Sequence, residues 1–301
     1  MDTMILPNFL CIGAPKSATT TLYEILKQHP EIGVSSFKEP HFFDNNLNYS
    51  ADLRLYSKSY FSELSSKRLI GEFTPTYFSH KECPRRIKQT LGNNLKFIII
   101  LRNPVDRAYS HYLHTKRDMF EELPFLQALS LERERLNSCL SEDNNTSYLK
   151  YAYIETGLYN KHLKNYLDYF HRDQFHIMIF EEFIHNRRKV IEDLLEFLQV
   201  DKNIEINLDI YSNQASKARS TIIKQIMKKD FLLKRLIKKM IPSLSMRQQI
   251  RNRIHASNNK VVKKPPLSED ERKVCYSEYF KKDIELLEKS LSVKLENWKP
   301  C

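Results

Sequence analysis

Two kinds of apolar pattern alternate along this chain, and their order sets the expected fold. Phe9-Leu10-Cys11-Ile12 is a continuous apolar run, and 95–101 (LKFIIIL) is a longer one broken only by Lys96. Such runs belong to strands buried on both faces of a parallel sheet. Residues 175–180 (FHIMIF) repeat the pattern, and 69–73 (LIGEF) suggests a shorter strand. Between them apolar residues recur at helical spacing. Leu22, Tyr23, Ile25 and Leu26 mark a helix over 20–28 that ends near His29-Pro30, because proline disfavours helical backbone in the residue before it. Further helices are expected over 53–64, over 83–91, over 105–117 with Val105, Ala108, Tyr109, Tyr112 and Leu113 as its apolar face, and over 120–136, 157–170 and 187–198. Residues 31–49 are expected to be mostly irregular, and 141–147 a polar loop. The chain then predicts one or two basic amphipathic helices over 221–255 with a break at Pro242, a linker, and a last helix over 268–291. Strands alternating with helices predict an α/β fold with a central parallel sheet flanked by helices. We expect one domain over 1–301, with a basic helical arm at 221–264 and a C-terminal helical region at 265–301.

Charge and composition narrow the function classes. Hydrophobic residues make up 41% and charged residues 28% of the 301, the balance of a globular chain. No stretch of 18 apolar residues exists, so no transmembrane helix is expected. The first ten residues lack a basic region and a long apolar core, so no secretory signal is expected. Five cysteines (Cys11, Cys83, Cys139, Cys275, Cys301) are scattered and odd in number, without disulfide or zinc spacing. A reducing, cytoplasmic setting is the expectation. The net charge of +11 is concentrated: between Thr221 and Pro265 stand thirteen Lys or Arg and one acid, Asp230. A nucleic-acid protein would more often spread its charge over a folded face with stacking aromatics. The arm has three readings: a solvated helical face, a docking surface for an anionic acceptor or lipid, or a nucleic-acid contact.

The chemistry begins at the turn after the first strand, Gly13 to Ala18. A strand, a tight turn and a helix N-terminus form an anion site, because the first N–H groups of the helix lack partners and its dipole favours negative charge. Lys16 adds a full charge, and Ser17, Thr19, Thr20 and Thr21 add hydroxyls. The spacing is not that of a triphosphate loop, where lysine directly follows a second glycine. Lys16 stands three residues after Gly13, Ala18 occupies a place suited to glycine, and the strand 95–101 ends in Arg102 rather than an aspartate for magnesium. A metal-free anion fits better. Arg102 at the carboxyl end of a parallel strand and Ser110 two helical turns on suit a second phosphate.

The segments PKSATTTLY, KEPHFFD, GEFTPTYF and ILRNPVDRAYSHY, in this order, resemble the sulfotransferases that use 3′-phosphoadenylyl sulfate (PAPS). The likeness is greatest to bacterial sulfotransferases and to sulfotransferase domains acting on heparan sulfate, and it extends through FEEF (180–183) and the basic helices to DIELLEKSLSVKLENW (283–298). It implies a P-loop-like three-layer fold, PAPS as donor, adenosine 3′,5′-bisphosphate (PAP) as product, and no metal. It assigns Lys16, Ser17, Ala18, Thr19, Thr20 and Thr21 to the 5′-phosphosulfate, with Lys16 stabilising the bridging oxygen as the sulfuryl group leaves. Glu39 is the implied general base, with His41 as its acid–base helper. Asp44, Glu72 and Tyr77 are implied on the acceptor side. Arg102 and Ser110 are assigned to the 3′-phosphate, and Lys217 and Arg219 to a segment reaching over the nucleotide. Phe73 stands where some members carry a lysine. For the basic arm, the resemblance favours instead a lid that attracts the anionic donor.

The expected acceptor is a hydroxyl of a small metabolite or carbohydrate, with an amine as the alternative. Bland readings stand beside these: Thr19 and Thr20 as helix caps, Glu39 paired with Lys38, Arg102 paired with Asp106, and Tyr77 as packing. The competing functions are a nucleotide-dependent kinase on the same sheet and a basic, non-enzymatic protein associated with membranes or nucleic acid. The sequence sets no oligomeric state.

Overall fold

The strand β1 (Phe9–Gly13) lies at the centre of a five-stranded sheet in the order β2-β3-β1-β4-β5, with β2 at Ile32–Val34, β3 at Leu69–Phe73, β4 at Lys96–Leu101 and β5 at Phe175–Ile179. Every neighbouring pair is parallel, and Leu10 stands opposite Glu72 on one side and Phe97 on the other. The computed structural model describes residues 4–138, 146–210, 216–218, 259–261 and 265–300.

The apolar runs alternate between two cores. Leu10 and Ile12 of β1 join Phe97, Ile99 and Leu101 of β4 on one face. Phe9, Cys11, Ile98 and Ile100 point to the other. Successive side chains of a strand face opposite ways, so only a sheet covered on both sides buries such runs completely. The helices supply the covers in three layers. On the second face lie α1 (Thr19–Leu26) and a helix over Arg187–Leu198, through Leu22, Ile25, Leu194 and Leu195.

The first face takes most of the others. After α2 (Asn46–Tyr49) and α3 (Leu53–Tyr60) come α4 (Cys83–Leu91), α5 (Pro104–Arg117), α6 (Phe125–Ser130), α7 (Glu132–Ser138), α8 (Thr146–Tyr151) and α9 (Tyr159–Leu167). The short α10 (Phe180–His185) precedes the 187–198 helix, α11. The chain closes with α12 (Glu269–Cys275), one π turn, and α13 (Lys281–Leu291), followed by a short turn that buries Trp298 on the first face.

Several expected boundaries move, each for a local reason. The irregular stretch 31–49 contains β2, a strand of three residues too short to show a period. The 53–64 helix stops at Tyr60, where buried Phe61 leaves helical backbone and packs edge-on against Tyr56. The 120–136 helix starts only after Pro124 and splits into α6 and α7. Before it, the Glu121 carboxylate accepts the N–H groups of Glu122 and Leu123, an alternative to helix. Part of the expected polar loop is helical, as α8. Ser216–Ala218 and Asn259–Val261, read as loop and linker, pair antiparallel as β6 and β7, with Lys217 opposite Lys260. The remainder of the expected basic arm, 221–258 and 262–264, lies outside the described residues.

Cys11, Cys83 and Cys275 are free and buried, while Cys139 and Cys301 lie outside the described residues. Among the described residues, no helix is long and apolar enough to cross a membrane.

Sheet order also positions the site. From β1 the chain builds β2 and β3 on one side, then crosses to β4 and β5 on the other. The carboxyl ends of β3, β1 and β4 therefore flank a topological switch point, where open α/β sheets hold their ligands.

Candidate active site

The loop after β1 is pinned to both neighbouring strands. Ala14 N–H donates to Ile100 O at 2.9 Å, and Thr74 N–H donates to Cys11 O at 3.1 Å. Gly13 is required here, since a Cβ on it would lie 2.6 Å from the Cβ of Phe78. Lys16 (φ 68°) and Ala18 (φ 61°) both adopt left-handed backbone. Side-chain-bearing residues avoid that region at about 1–2 kcal/mol each, and such strain concentrates where a ligand is held. Ala18 has no side-chain oxygen and gives α1 no side-chain cap, so the helix N-terminus faces the loop through its backbone. Thr19 and Thr21 are buried and Thr20 half-buried.

Ser17 is suited to an anionic ligand. Its hydroxyl is buried and has no hydrogen-bond partner. An orphaned hydroxyl costs about 1–3 kcal/mol, a cost that phosphate oxygens at this helix N-terminus would remove. The residues present therefore fit a phosphosulfate. Lys16 is half-buried, and burial pushes its ammonium down to about 7, against the pull of Glu39 and with the help of Arg117 and Lys38.

A second segment runs along the end of β3. Ser35 N–H donates to Gly71 O and Glu39 N–H to Phe73 O, each at 2.9 Å. Around Pro40 the chain kinks, with Glu39 (φ 62°) and His41 (φ 51°) both left-handed. This turn places Lys38, Glu39, His41 and Asp44 in one line. Lys38 Nζ lies 2.9 Å from Glu39 Oε1 and donates to Thr19 Oγ1 at 3.1 Å. His41 Nε2 is 3.8 Å from Glu39 Oε2, an ion contact rather than a hydrogen bond, and His41 Nδ1 is 2.9 Å from Asp44 Oδ2.

Electrostatics follow from this line. Burial works against a charge on His41, but Asp44 and Glu39 outweigh it and raise the imidazole to about 10. Burial also opposes charge on Glu39, yet Lys38 and His41 hold its carboxyl well below the usual carboxylate range. At neutral pH Glu39 is thus a carboxylate and His41 an imidazolium. Glu39 keeps 44% side-chain exposure and is open to an incoming group. Asp44 is only 2% exposed and stands behind His41, its carboxylate also accepting from Thr76 Oγ1.

Arg102 leaves the end of β4 and donates to Lys16 O at 3.1 Å, while its guanidinium stacks 4.7 Å from the Phe180 ring. Its pairing with Asp106 does not form: Asp106 takes Arg272 at 2.7 Å. Next to it, Asn103 caps α5 by accepting from Val105 N–H at 3.0 Å. Asn103 is held in turn by Glu181 and Trp298. Its N–H donates to Glu181 Oε1 at 3.2 Å, its side-chain amide to Trp298 O at 3.3 Å, and the Trp298 indole N–H to Glu181 Oε2 at 3.2 Å. Ser110 is half-buried on α5, two turns in from Asn103.

Two expected acceptor-side residues lie elsewhere. Glu72 is fully buried, accepting from the Tyr56 hydroxyl and, at 2.7 Å, from Thr74 Oγ1. Tyr77 is 1% exposed, and its hydroxyl accepts the N–H groups of Phe42 and Phe43 at 2.8 and 3.2 Å. Strand alternation turns Glu72 into the first core, so these two residues form the scaffold beneath the Glu39 turn, not a surface for an acceptor. Phe73 faces the second core against Phe9 and Tyr23. Lys217 lies on the backbone of β6, and Arg219 falls outside the described residues. Sequence reasoning missed Lys38 as a link between Thr19 and Glu39, Thr76 behind His41, and the Glu181–Trp298 brace. The basic residue beside the candidate base was the only visible signal.

Residues 6–282 match the family described as sulfotransferase domain. Heparan sulfate glucosamine 3-O-sulfotransferase 5 of Mus musculus is 33% identical over 205 residues, covering 67% of this chain and 54% of that protein. Heparan sulfate glucosamine 3-O-sulfotransferase 3B1 of Mus musculus is 31% identical over 215 residues, covering 69% of this chain and 50% of that protein. The chain spans about half the length of these curated relatives. The crystal structure of a sulfotransferase from Alicyclobacillus acidocaldarius superposes with a TM-score of 0.70 at 25% identity, covering 98% of this chain and 99% of that one. With a family match across nearly all of its sheet and helices, this chain belongs to the sulfotransferase domain family.

Proposed function

We propose that this protein moves a sulfuryl group from PAPS to a hydroxyl of a carbohydrate or small metabolite, releasing PAP. The observation that carries the reading is the meeting of the anion loop and Glu39 at one end of the sheet, where a single lysine touches both Thr19 and Glu39. The orphaned Ser17 hydroxyl and the uncapped α1 suit the 5′-phosphosulfate. Arg102 and Ser110 suit the 3′-phosphate.

When bound, PAPS supplies the activated sulfuryl group. Glu39, ionised and partly exposed, accepts the proton of the incoming hydroxyl, a role of general-base type. His41 lies against Glu39 and is fixed from behind by Asp44, so it orients the carboxylate. Lys16 and the N-terminus of α1 oppose negative charge on the departing phosphate oxygen, as an oxyanion hole does. Arg102 acts on nucleotide and loop together through its bond to Lys16 O. The heparan sulfate relatives favour a sugar hydroxyl as the acceptor.

The test is a screen of oligosaccharides and small hydroxyl compounds with labelled PAPS, run beside Glu39→Gln and Lys16→Ala. Transfer by the wild type that both variants lose supports the assignment. Full transfer by both variants, or phosphoryl transfer from ATP with magnesium in place of sulfuryl transfer, would sink it.

A further inference from the structure

Among the described residues, Lys38 is the one whose side chain bonds to both halves of the site, 3.1 Å from Thr19 Oγ1 where the donor loop enters α1 and 2.9 Å from Glu39 Oε1. We propose that Lys38 is a positioning residue that couples occupancy of the donor loop to the strength of Glu39 as a base, so that Glu39 becomes effective only after the anionic donor is in place. The inference rests on the function proposed above and adds an order to it.

The geometry gives the reason. Lys38 is 15% exposed, held in place by its two partners. An ammonium has three donors and no acceptor, so Thr19 Oγ1 receives from Lys38 and keeps its own proton for another acceptor. An anion in the loop would accept that proton and bring negative charge beside Lys38. The Lys38 charge is then shared between the anion and Glu39, where the empty loop gives Glu39 all of it.

The groups facing Glu39 are few. Lys38 and His41 contact it, Asp44 backs His41, and Lys16 acts on it through space. Lys16 in turn feels Arg117 and Asp118, at the end of α5. Of these, Lys38 alone bonds to the donor loop and to Glu39 at once. With the loop empty, Lys38 and His41 keep Glu39 a weak base, and water is not activated before the donor arrives. Coupling of this kind is reciprocal: whatever strengthens Glu39 on donor binding must make donor affinity depend on Glu39 protonation.

The experiment uses the full chain with glutamate carboxyls labelled by carbon-13, the Glu39 resonance being identified by its loss in Glu39→Gln. The probe is PAP, with binding followed separately by calorimetry. In the free wild type, the Glu39 resonance should remain that of a carboxylate down to about pH 4, near an ordinary glutamate midpoint. Saturation with PAP should raise its midpoint by about 1–3 pH units, the span one neighbouring opposite charge controls. In Lys38→Met the midpoint should already be raised without PAP and should respond little to it, while Lys38→Arg should restore the wild-type response. Binding of PAP with no change at Glu39, or Lys38→Met titrating like the wild type, would overturn the coupling alone. No binding of PAP by the wild type would overturn the coupling and the proposed function together.

Discussion

Arg102 Nη1 donates to the carbonyl oxygen of Lys16 at 3.1 Å, joining the end of β4 to a loop 86 positions earlier in the chain. One guanidinium therefore shapes the backbone of the anion loop, and in the proposed function it also holds the 3′-phosphate. Replacing it by alanine should remove both effects. A hydrogen bond to a charged group is worth about 1.5–3 kcal/mol, so Arg102→Ala should weaken PAP binding by roughly 10- to 100-fold. Calorimetry with PAP measures this, and an unchanged affinity would remove Arg102 from the nucleotide site.

Ala18 carries a Cβ in left-handed backbone at the start of α1. Glycine adopts this conformation without the steric cost of about 1–2 kcal/mol. It also gains more freedom in the unfolded chain, which offsets about 0.4–1 kcal/mol of that. Ala18→Gly should leave the fold slightly more stable, and Ala18→Val, with a branched side chain at the same φ, should destabilise it. Urea unfolding of the three proteins compares them directly; a Val variant as stable as the wild type would contradict the backbone assignment.

Burial holds the Lys16 ammonium down to about 7 in the free protein. An anion in the loop favours the charged form and raises that value. Above about pH 7 the free protein carries Lys16 largely neutral, so PAP binding at pH 8 should take up close to one proton, and the uptake should vanish near pH 6, where Lys16 is already charged. Affinity should accordingly fall as pH rises through and beyond about 7. Calorimetry at pH 8 in two buffers of different ionisation enthalpy reads the uptake. It should be absent in Lys16→Met; uptake that survives this substitution belongs to another group.

Trp298 is 2% exposed, its indole bonds to Glu181, and its ring meets Tyr159 edge-on at 6.0 Å. Its carbonyl receives the Asn103 amide, so the end of the described chain braces the turn that carries Arg102. Emptying an aromatic core site costs about 3–5 kcal/mol. Trp298→Ala should lower the melting temperature, and the part that remains folded should bind PAP less tightly. Trp298→Phe fills much of the volume but lacks the N–H, and should recover stability more than affinity. Equal recovery of both would show that the brace acts by packing alone.

Much of the scaffold was legible in the sequence because continuous apolar runs have one physical use. β1, β4 and β5 lie within a residue or two of the runs that announced them, and the Gly13–Ala18 turn lies where the loop was expected. What pattern could not show was direction. The family resemblance set Glu72 on the acceptor side, but the register that puts it opposite Leu10 turns it into the core, where Tyr56 and Thr74 satisfy it. Tyr77 is buried by the same packing. Lys38 was visible only as a neighbour of Glu39. Its bond to Thr19 depends on β2 and β3 bringing residues 19 positions apart together, and a strand as short as β2 leaves no period to read.

Glu39 is the residue on which the proposed transfer turns. The most direct measurement is sulfuryl transfer from labelled PAPS by wild type and Glu39→Gln, with PAP affinity determined on the same preparations. Glutamine keeps the shape and removes the proton acceptor. Transfer should fall by about 10²- to 10⁴-fold, the contribution of a positioned base, while PAP binds as before. Glu39→Gln transferring at the wild-type rate would contradict the assignment of Glu39 as the base.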